Sequence, residues 1–361
     1  MGQDKRASVI GGGSWGTALA HLMAASGADV RLWMRNVERV AEVNEQHTNS
    51  YYLKELPIHA RVVATTDLEE AVRFADTMIV AIPAKSFRSI AFEMGAFVTG
   101  DQILLSATKG FEAEHLKRMS QVLREETCAR KIGAISGPNL ADEIMAGQPT
   151  ATVVASPYDE VIDVGARLIA GPTLRVYGNY DIVGVETFGA LKNIIAIAAG
   201  ACTGLGLGAN SLSMLLTRGL AEISRFAERH GSDRLTSIGL AGIGDLIATC
   251  SSPLSRNNSL GRKLAEGLTL DGALATMHKV AEGVNTTNAV HMHAERLGVD
   301  MPIARGVYQV LFGGEKVSDV LGTLMSRANR YEHTERPIDE PEPISGSVVE
   351  TALAVAGRRH G

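Results

Sequence analysis

The stretch Gly11-Gly12-Gly13-Ser14-Trp15-Gly16 follows the mostly apolar run at residues 7–10 and leads into a helix-forming segment at residues 17–26. Three glycines in G-x-G-x-x-G spacing between those two patterns read as strand, tight turn and helix start. Gly11 permits the turn, Gly13 lets the backbone approach an anion, and Gly16 lets helix pack closely on strand. The helix N-terminus adds unpaired N–H groups and the positive end of its dipole, which together suit a pyrophosphate. The glycine spacing alone is a weak signal. With a strand before it and a helix after it, it predicts that the chain opens with a nicotinamide-dinucleotide domain that takes NAD or NADP.

Outward from this turn, strand-like runs at 8–10, 29–33, 62–65, 78–82, 102–106, 132–135, 152–155 and 174–177 alternate with helical patterns. Such alternation predicts an α/β Rossmann domain, a doubly wound and mostly parallel sheet with helices on both faces. Several strands end in turns such as Thr108-Lys109-Gly110 and Ser136-Gly137-Pro138-Asn139, and carboxyl-end loops are where ligands bind in such sheets. After about Gly184 the strand pattern stops. Segments 185–201, 211–230, 255–267, 270–277, 286–297 and 301–311 read as helices, with Pro302 at a first turn and Gly231 and Gly298 as stops. The expected organisation is a dinucleotide-binding domain at 1–184 and an all-α substrate and catalytic domain at 185–335. A proline-rich, acidic and flexible tail is expected at 336–361.

At 361 residues there is room for two domains of about 100–200 residues each. An apolar fraction of 45% with 21% charged residues places the chain in the globular class. A net charge of −5 argues against a nucleic-acid surface, so an anionic ligand must meet local basic groups. No run of 18 uninterrupted apolar residues occurs, so no membrane span is expected. The start MGQDKRASVI has no long apolar region before the first strand, which argues against a secretory signal. Cys128, Cys202 and Cys250 lack CxxC spacing, so neither a metal site nor a disulfide framework is expected, and a reducing cytoplasm fits.

Lys192 lies on a largely apolar helical pattern, with Phe188 and Ile195 as face neighbours. Such a lysine can snorkel to water. It can also act as a proton acceptor for an alcohol if burial or a neighbouring cation lowers its pKa. Lys109, at a strand's carboxyl end, is a candidate for that cation and is otherwise a solvated loop residue. Asp245 and Thr249, at i and i+4, share a face if Asp245 opens a helix; Asp245 then either caps it or orients Lys192. Ser255-Arg256-Asn257 opens another helical segment and reads either as ordinary capping or as a phosphate cradle. The second strand is followed by Arg35 and has no acid before Glu38, so NADP is at least tolerated.

Together these segments resemble the bacterial-type NAD(P)-dependent glycerol-3-phosphate dehydrogenases. The resemblance rests on Gly-Gly-Gly-Ser-Trp-Gly at 11–16, Ala-Thr-Lys-Gly at 107–110 and Ser-Gly-Pro-Asn at 136–139. Gly-Ala-Leu-Lys-Asn at 189–193, Ala-Gly-Ile-Gly-Asp-Leu at 241–246, Ser-Arg-Asn at 255–257 and Val-Ala-Glu-Gly at 280–283 continue it in order. It implies reversible reduction of dihydroxyacetone phosphate to sn-glycerol 3-phosphate, the entry to phospholipid synthesis. It further implies Lys192 as the proton acceptor in oxidation. Substrate contacts implied are Lys109, Gly137, Asn139, Lys192, Asp245, Ser255, Arg256 and Asn257. Cofactor contacts implied, beside the turn glycines Gly11, Gly13 and Gly16, are Ser14, Trp15, Arg35, Lys109, Ala141, Arg256, Val280 and Glu282. Two departures stand out: Asn139 occupies a position where the family commonly has Ser or Thr, and the tail extends past the usual end.

Two other readings compete. A hydroxy acid or ketopantoate oxidoreductase of the same architecture has little use for the Ser255-Arg256-Asn257 helix start. A non-catalytic dinucleotide sensor keeps the glycine turn but has no need of Lys192. The expected partner is a small phosphorylated triose; the sequence leaves the oligomeric state open, a homodimer among the options.

Overall fold

A computed structural model of the chain describes residues 6–54, 56–253, 255–277, 281–329 and 331–332. The chain packs as two compact units, and neither follows a single cut in sequence. One comprises residues up to 192 together with 223–249, and the other comprises 193–222 and the residues from 250 onward. Their boundaries fall within the helices Ile182–Gly204, Ala209–Arg229 and Asp245–Ser251.

The described residues of the first unit form ten strands: β1 (Arg6–Ile10), β2 (Asp29–Trp33), β3 (Val62–Thr65), β4 (Thr77–Val80), β5 (Ile103–Ser106), β6 (Phe111–Glu112), β7 (Lys117–Arg118), β8 (Lys131–Ser136), β9 (Thr150–Ala155) and β10 (Leu174–Asn179). Eight of them form one sheet in the order β10-β9-β8-β5-β4-β1-β2-β3. Every neighbouring pair is parallel except β8–β9. The small β6–β7 hairpin, too short to leave a periodic signature, is the one strand pair that the alternation does not foretell.

Strand periodicity divides the core. Ala7, Val9, Leu32, Ile79 and Leu105 point to one face, where they pack with Leu19 and Met23 of helix Ser14–Ala25. Ile10, Met78, Val80 and Leu104 point to the other, against Phe87 and Met94 of helix Phe87–Gly95 and Val122 of helix Met119–Glu126. Phe87 is wholly buried, and truncating such a side chain to Ala costs about 3–5 kcal/mol. A sheet covered on both faces accounts for the near-continuous apolar strands.

Strand order reverses between β1 and β4, and the glycine turn leaves β1 at that point. Gly11 has φ +126°, and a Cβ there would lie 2.3 Å from the Ala81 carbonyl oxygen just past β4. The crevice outside the carboxyl ends of β1 and β4 is the topological switch point at which doubly wound folds bind ligands.

The helix Ile182–Gly204 is long and apolar enough to cross a membrane by composition, but 83% of its most apolar window is buried, as in the core helix of a globular protein. In the second unit, residues 193–204 of this helix lie against helix Arg256–Ala265. A Cβ on Gly261 would stand 1.9 Å from the Ile197 carbonyl oxygen, so this backbone contact requires glycine. Helices Leu270–Ala275, Glu282–Leu297, Pro302–Phe312 and Val317–Met325 complete the described part of the unit. Pro302 sits in the first turn, and Gly298 ends the preceding helix at φ +61°.

Three corrections to the expected elements follow. The first helix begins at Ser14, inside the glycine motif, and not at 17. Segment Leu240–Gly244, whose glycines disguise it as loop, is a π-helical turn kinked at Gly242 that runs straight into helix Asp245–Ser251. Helix Val317–Met325 also lies beyond the periodic segments identified from sequence. The expected tail at 336–361 lies outside the described residues.

Candidate active site

Within the first unit, three separate stretches of sequence bring charged groups together. Past β5, the Thr108 hydroxyl donates to the Ile82 carbonyl at 2.7 Å and fixes the turn that carries Lys109. The Lys109 ammonium donates to the Gly137 carbonyl at 2.7 Å and to Asp245 Oδ2 at 2.8 Å. Gly137 adopts φ +144°, a conformation side chains rarely take, which turns its carbonyl off the end of β8 toward Lys109. From helix Ile182–Gly204, Lys192 donates to Asp245 Oδ1 and, at 2.6 Å, to the Thr249 hydroxyl.

Asp245 is 1% exposed and Lys192 only 5%. Lys192 therefore does not snorkel, because Val185, Phe188, Leu191 and Ile195 bury the helix around it. Lys109 is likewise no solvated loop residue; its side chain is 19% exposed and paired. Asp245 opens helix Asp245–Ser251, as i, i+4 spacing with Thr249 requires, yet its carboxylate serves two amines. Desolvation pushes the Lys192 ammonium down to about 7; Asp245 opposes that shift and the Lys109 charge adds to it. An amine poised near neutrality can exchange a proton in either direction.

The glycine turn forms a second group of candidates in the same unit. Gly13 is the N-cap of helix Ser14–Ala25 in extended conformation, and no side chain caps that helix. A Cβ on Gly13 would meet nothing within 4 Å, whereas one on Gly16 would lie 1.8 Å from the Gly11 carbonyl oxygen. Trp15 packs with Ala141, the first residue of helix Ala141–Met145, and its buried indole N–H has no hydrogen-bond partner among the described residues. Uncapped helix N–H groups, open space over Gly13 and an unspent indole donor fit a dinucleotide phosphate. Ser14 donates to the Tyr52 carbonyl at 3.2 Å, and Arg35 is exposed just past β2. Asn139 donates to Thr152 Oγ1 at 2.9 Å, and its buried Oδ1 has no hydrogen-bond partner among the described residues.

In the second unit, Ser255 is the N-cap of helix Arg256–Ala265 and accepts from the Asn258 N–H at 3.3 Å, so ordinary capping is present. Arg256 is exposed at the first helical position. Asn257 is turned inward: its Nδ2 donates to Asn193 Oδ1 and its Oδ1 accepts from the Gly283 N–H, both at 3.0 Å. Glu282 opens helix Glu282–Leu297; burial pushes its carboxyl up, and the Arg256 charge partly offsets this. Val280 lies outside the described residues.

The structure thus joins Lys109, Gly137, Lys192 and Asp245 around one carboxylate, and Trp15 with Ala141 beside the turn. It adds Thr249 to the first group, which its spacing from Asp245 could have signalled. It also adds Asn193, next to Lys192 in sequence and bonded to Asn257.

Comparison with known proteins shows the family. Residues 6–162 match the family described as NAD-dependent glycerol-3-phosphate dehydrogenase N-terminus, and residues 181–322 match its C-terminus. A glycerol-3-phosphate dehydrogenase [NAD(P)+] of Corynebacterium diphtheriae is 46% identical over 327 residues, covering 90% of this chain and 99% of that protein. One from Staphylococcus epidermidis is 43% identical over 331 residues, covering 91% and 100%. Among solved structures, a glycerol-3-phosphate dehydrogenase from Coxiella burnetii superposes with TM-score 0.86 at 33% identity, covering 90% of this chain and 99% of that one. With both domains matched over most of its length, the chain belongs to the NAD-dependent glycerol-3-phosphate dehydrogenase family.

Proposed function

We propose that this chain catalyses reversible reduction of dihydroxyacetone phosphate to sn-glycerol 3-phosphate with NADH or NADPH. The observation that carries the reading is Lys192, buried against Asp245 and Thr249 with Lys109 on the opposite carboxylate oxygen. Bound at the glycine turn, the reduced nicotinamide supplies a hydride to the ketone carbon. The Lys192 ammonium donates its proton to the ketone oxygen in reduction, and the neutral amine accepts the hydroxyl proton in oxidation. Asp245 holds both amines in place and keeps the paired charges from repelling each other unopposed. Lys109 lowers the Lys192 pKa and, as a fixed cation, favours the negative charge that develops on the substrate oxygen.

The same reading gives Ser255, Arg256 and Asn257 to the substrate, with the Arg256 guanidinium as the bidentate partner of its phosphate. Gly137 and Asn139 are further substrate contacts. Ser14, Trp15, Arg35, Lys109, Ala141, Arg256, Val280 and Glu282 contact the cofactor. Residues 1–184 then form the dinucleotide-binding domain and 185–335 the substrate and catalytic domain, each lending a few contacts to the other's ligand, and the product feeds phospholipid synthesis in the cytoplasm.

Absorbance at 340 nm, followed with dihydroxyacetone phosphate and each reduced cofactor in turn, tests the proposal directly. Oxidation of at least one cofactor that depends on the phosphorylated triose is expected. No oxidation with either would overturn it.

A further inference from the structure

The segment between helix Val37–Gln46 and β3 is a connection that the expected site does not use, yet it is tied to the glycine turn. Asn49 within it is wholly buried. Its position is the N-cap of the short helix Ser50–Leu53, where an Asn side chain normally caps. Here it makes no cap bond. Its Nδ2 donates instead to the Gly12 carbonyl at 3.0 Å and to Thr17 Oγ1 at 2.9 Å. The segment is anchored from both sides. Glu42 accepts from the Ser50 N–H at 2.6 Å and the Thr48 hydroxyl at 2.9 Å, and Ser14 donates to the Tyr52 carbonyl. Leu53 packs with Ala18 and Ala141, under Trp15.

The consequence follows from peptide geometry. Gly12 and Gly13 share a planar, trans peptide bond, so the Gly12 C=O and the Gly13 N–H point in opposite directions. Holding the carbonyl on Asn49 aims the Gly13 N–H away from Asn49. Neither glycine carries a side chain that would oppose rotation of this peptide. If it rotated, a carbonyl oxygen would replace a donor and repel an anion.

We propose that Asn49 is a positioning residue of the dinucleotide site, fixing the Gly12–Gly13 peptide so that it presents an N–H to the pyrophosphate. This deepens the reading of residues 11–16 as the cofactor turn and rests on it. Because the orientation is set before the ligand arrives, its loss acts on cofactor affinity and leaves the proton chemistry at Lys192 untouched.

The test is a fluorescence titration of the purified full chain with NADPH and NADH, accompanied by thermal melts. Asn49→Ala is expected to raise Kd about five- to tenfold, the worth of one well-placed hydrogen bond. The turnover number at saturating cofactor and the KM for dihydroxyacetone phosphate should stay within about twofold of the unmodified chain. Asn49→Ser, which keeps a short donor and is the gentler change should the alanine variant fold poorly, is expected to fall between the two. Thr17→Val removes the other partner of Nδ2 while sparing the Gly12 bond, so it should lower Tm without moving Kd. Unchanged Kd in both Asn49 variants overturns the proposal, as does a Kd rise in Thr17→Val equal to that in Asn49→Ala. Failure of the unmodified chain to bind either cofactor overturns the cofactor reading itself, a separate and visible result.

Discussion

Lys192 and Asp245 meet in a pair closed to solvent, the amine on Oδ1 while Lys109 occupies Oδ2 at 2.8 Å. One carboxylate thus faces two ammonium groups, and the site cannot neutralise both. Desolvation and the second cation depress the Lys192 pKa toward 7. Lys109→Met removes that cation and also leaves Asp245 to act on Lys192 alone, and both effects raise the Lys192 pKa. Oxidation of glycerol 3-phosphate needs the neutral amine, so its rise with pH, expected near 7 in the unmodified chain, should move alkaline by on the order of one pH unit. A kcat profile against pH checks this; an unshifted profile removes Lys109 from the argument.

Lys192→Ala should retain cofactor binding and lose turnover in both directions. General acid–base groups contribute about 10²–10⁴-fold, so a fall of that size in kcat is expected at every pH, with the inflection near 7 abolished. Steady-state rates of reduction and oxidation, paired with a cofactor titration, supply the comparison. Near-normal turnover in either direction would reject the assignment.

Much of the sheet was legible because its strands are mostly short apolar runs punctuated by Gly, Pro and polar turns, such as Thr77–Val80 and Ile103–Ser106. The glycine turn was legible because each position has its own steric reason. The Asp245 helix was harder to read: Leu240-Ala-Gly-Ile-Gly looks like loop, and its π turn is held by packing of Leu240 and Ala241 with Val153, Ala155 and Val185, which are distant in sequence. Whether Lys192 snorkels or is buried depends on groups 53 residues away in sequence, which no local pattern reports. Asn49 illustrates the same limit, since an Asn beside Ser and Tyr reads as a turn or cap until its amide is seen on Gly12.

Arg256 is exposed at the first position of a helix capped by Ser255, where its positive charge stands at the helix N-terminus and beside Glu282. A charge-assisted bidentate contact is worth about 1.5–3 kcal/mol. Arg256→Ala should therefore raise the KM for dihydroxyacetone phosphate roughly 10- to 100-fold, while the already poor use of unphosphorylated dihydroxyacetone changes little. Equal losses on the two ketones would show that the arginine does not read the phosphate.

Arg35 stands exposed where β2 ends, next to Asn36, which caps helix Val37–Gln46 by accepting from the Arg39 N–H at 2.8 Å. A ribose 2′-phosphate attracts a guanidinium, and a ribose 2′-hydroxyl prefers an acidic acceptor. Arg35→Asp should penalise NADPH about tenfold relative to NADH. The ratio of kcat/KM for the two cofactors is the measurement, and a constant ratio would place cofactor choice elsewhere.

The two later glycines of the turn should separate binding from folding. A methyl group on Gly13 meets no atom within 4 Å, so Gly13→Ala should melt within about 2 °C of the unmodified chain. That methyl would nevertheless occupy the space over the helix N-terminus that the pyrophosphate needs, and cofactor Kd should rise at least about tenfold. On Gly16 the same methyl lies 1.8 Å from the Gly11 carbonyl oxygen, a backbone atom that cannot move without shifting β1 against its helix. Overpacking of this kind costs about 1–3 kcal/mol, so Gly16→Ala should lower Tm by several degrees. Thermal melts and NADPH titrations on both variants decide the matter: if Gly13→Ala melts early while binding normally, the open space over Gly13 is not where the cofactor sits.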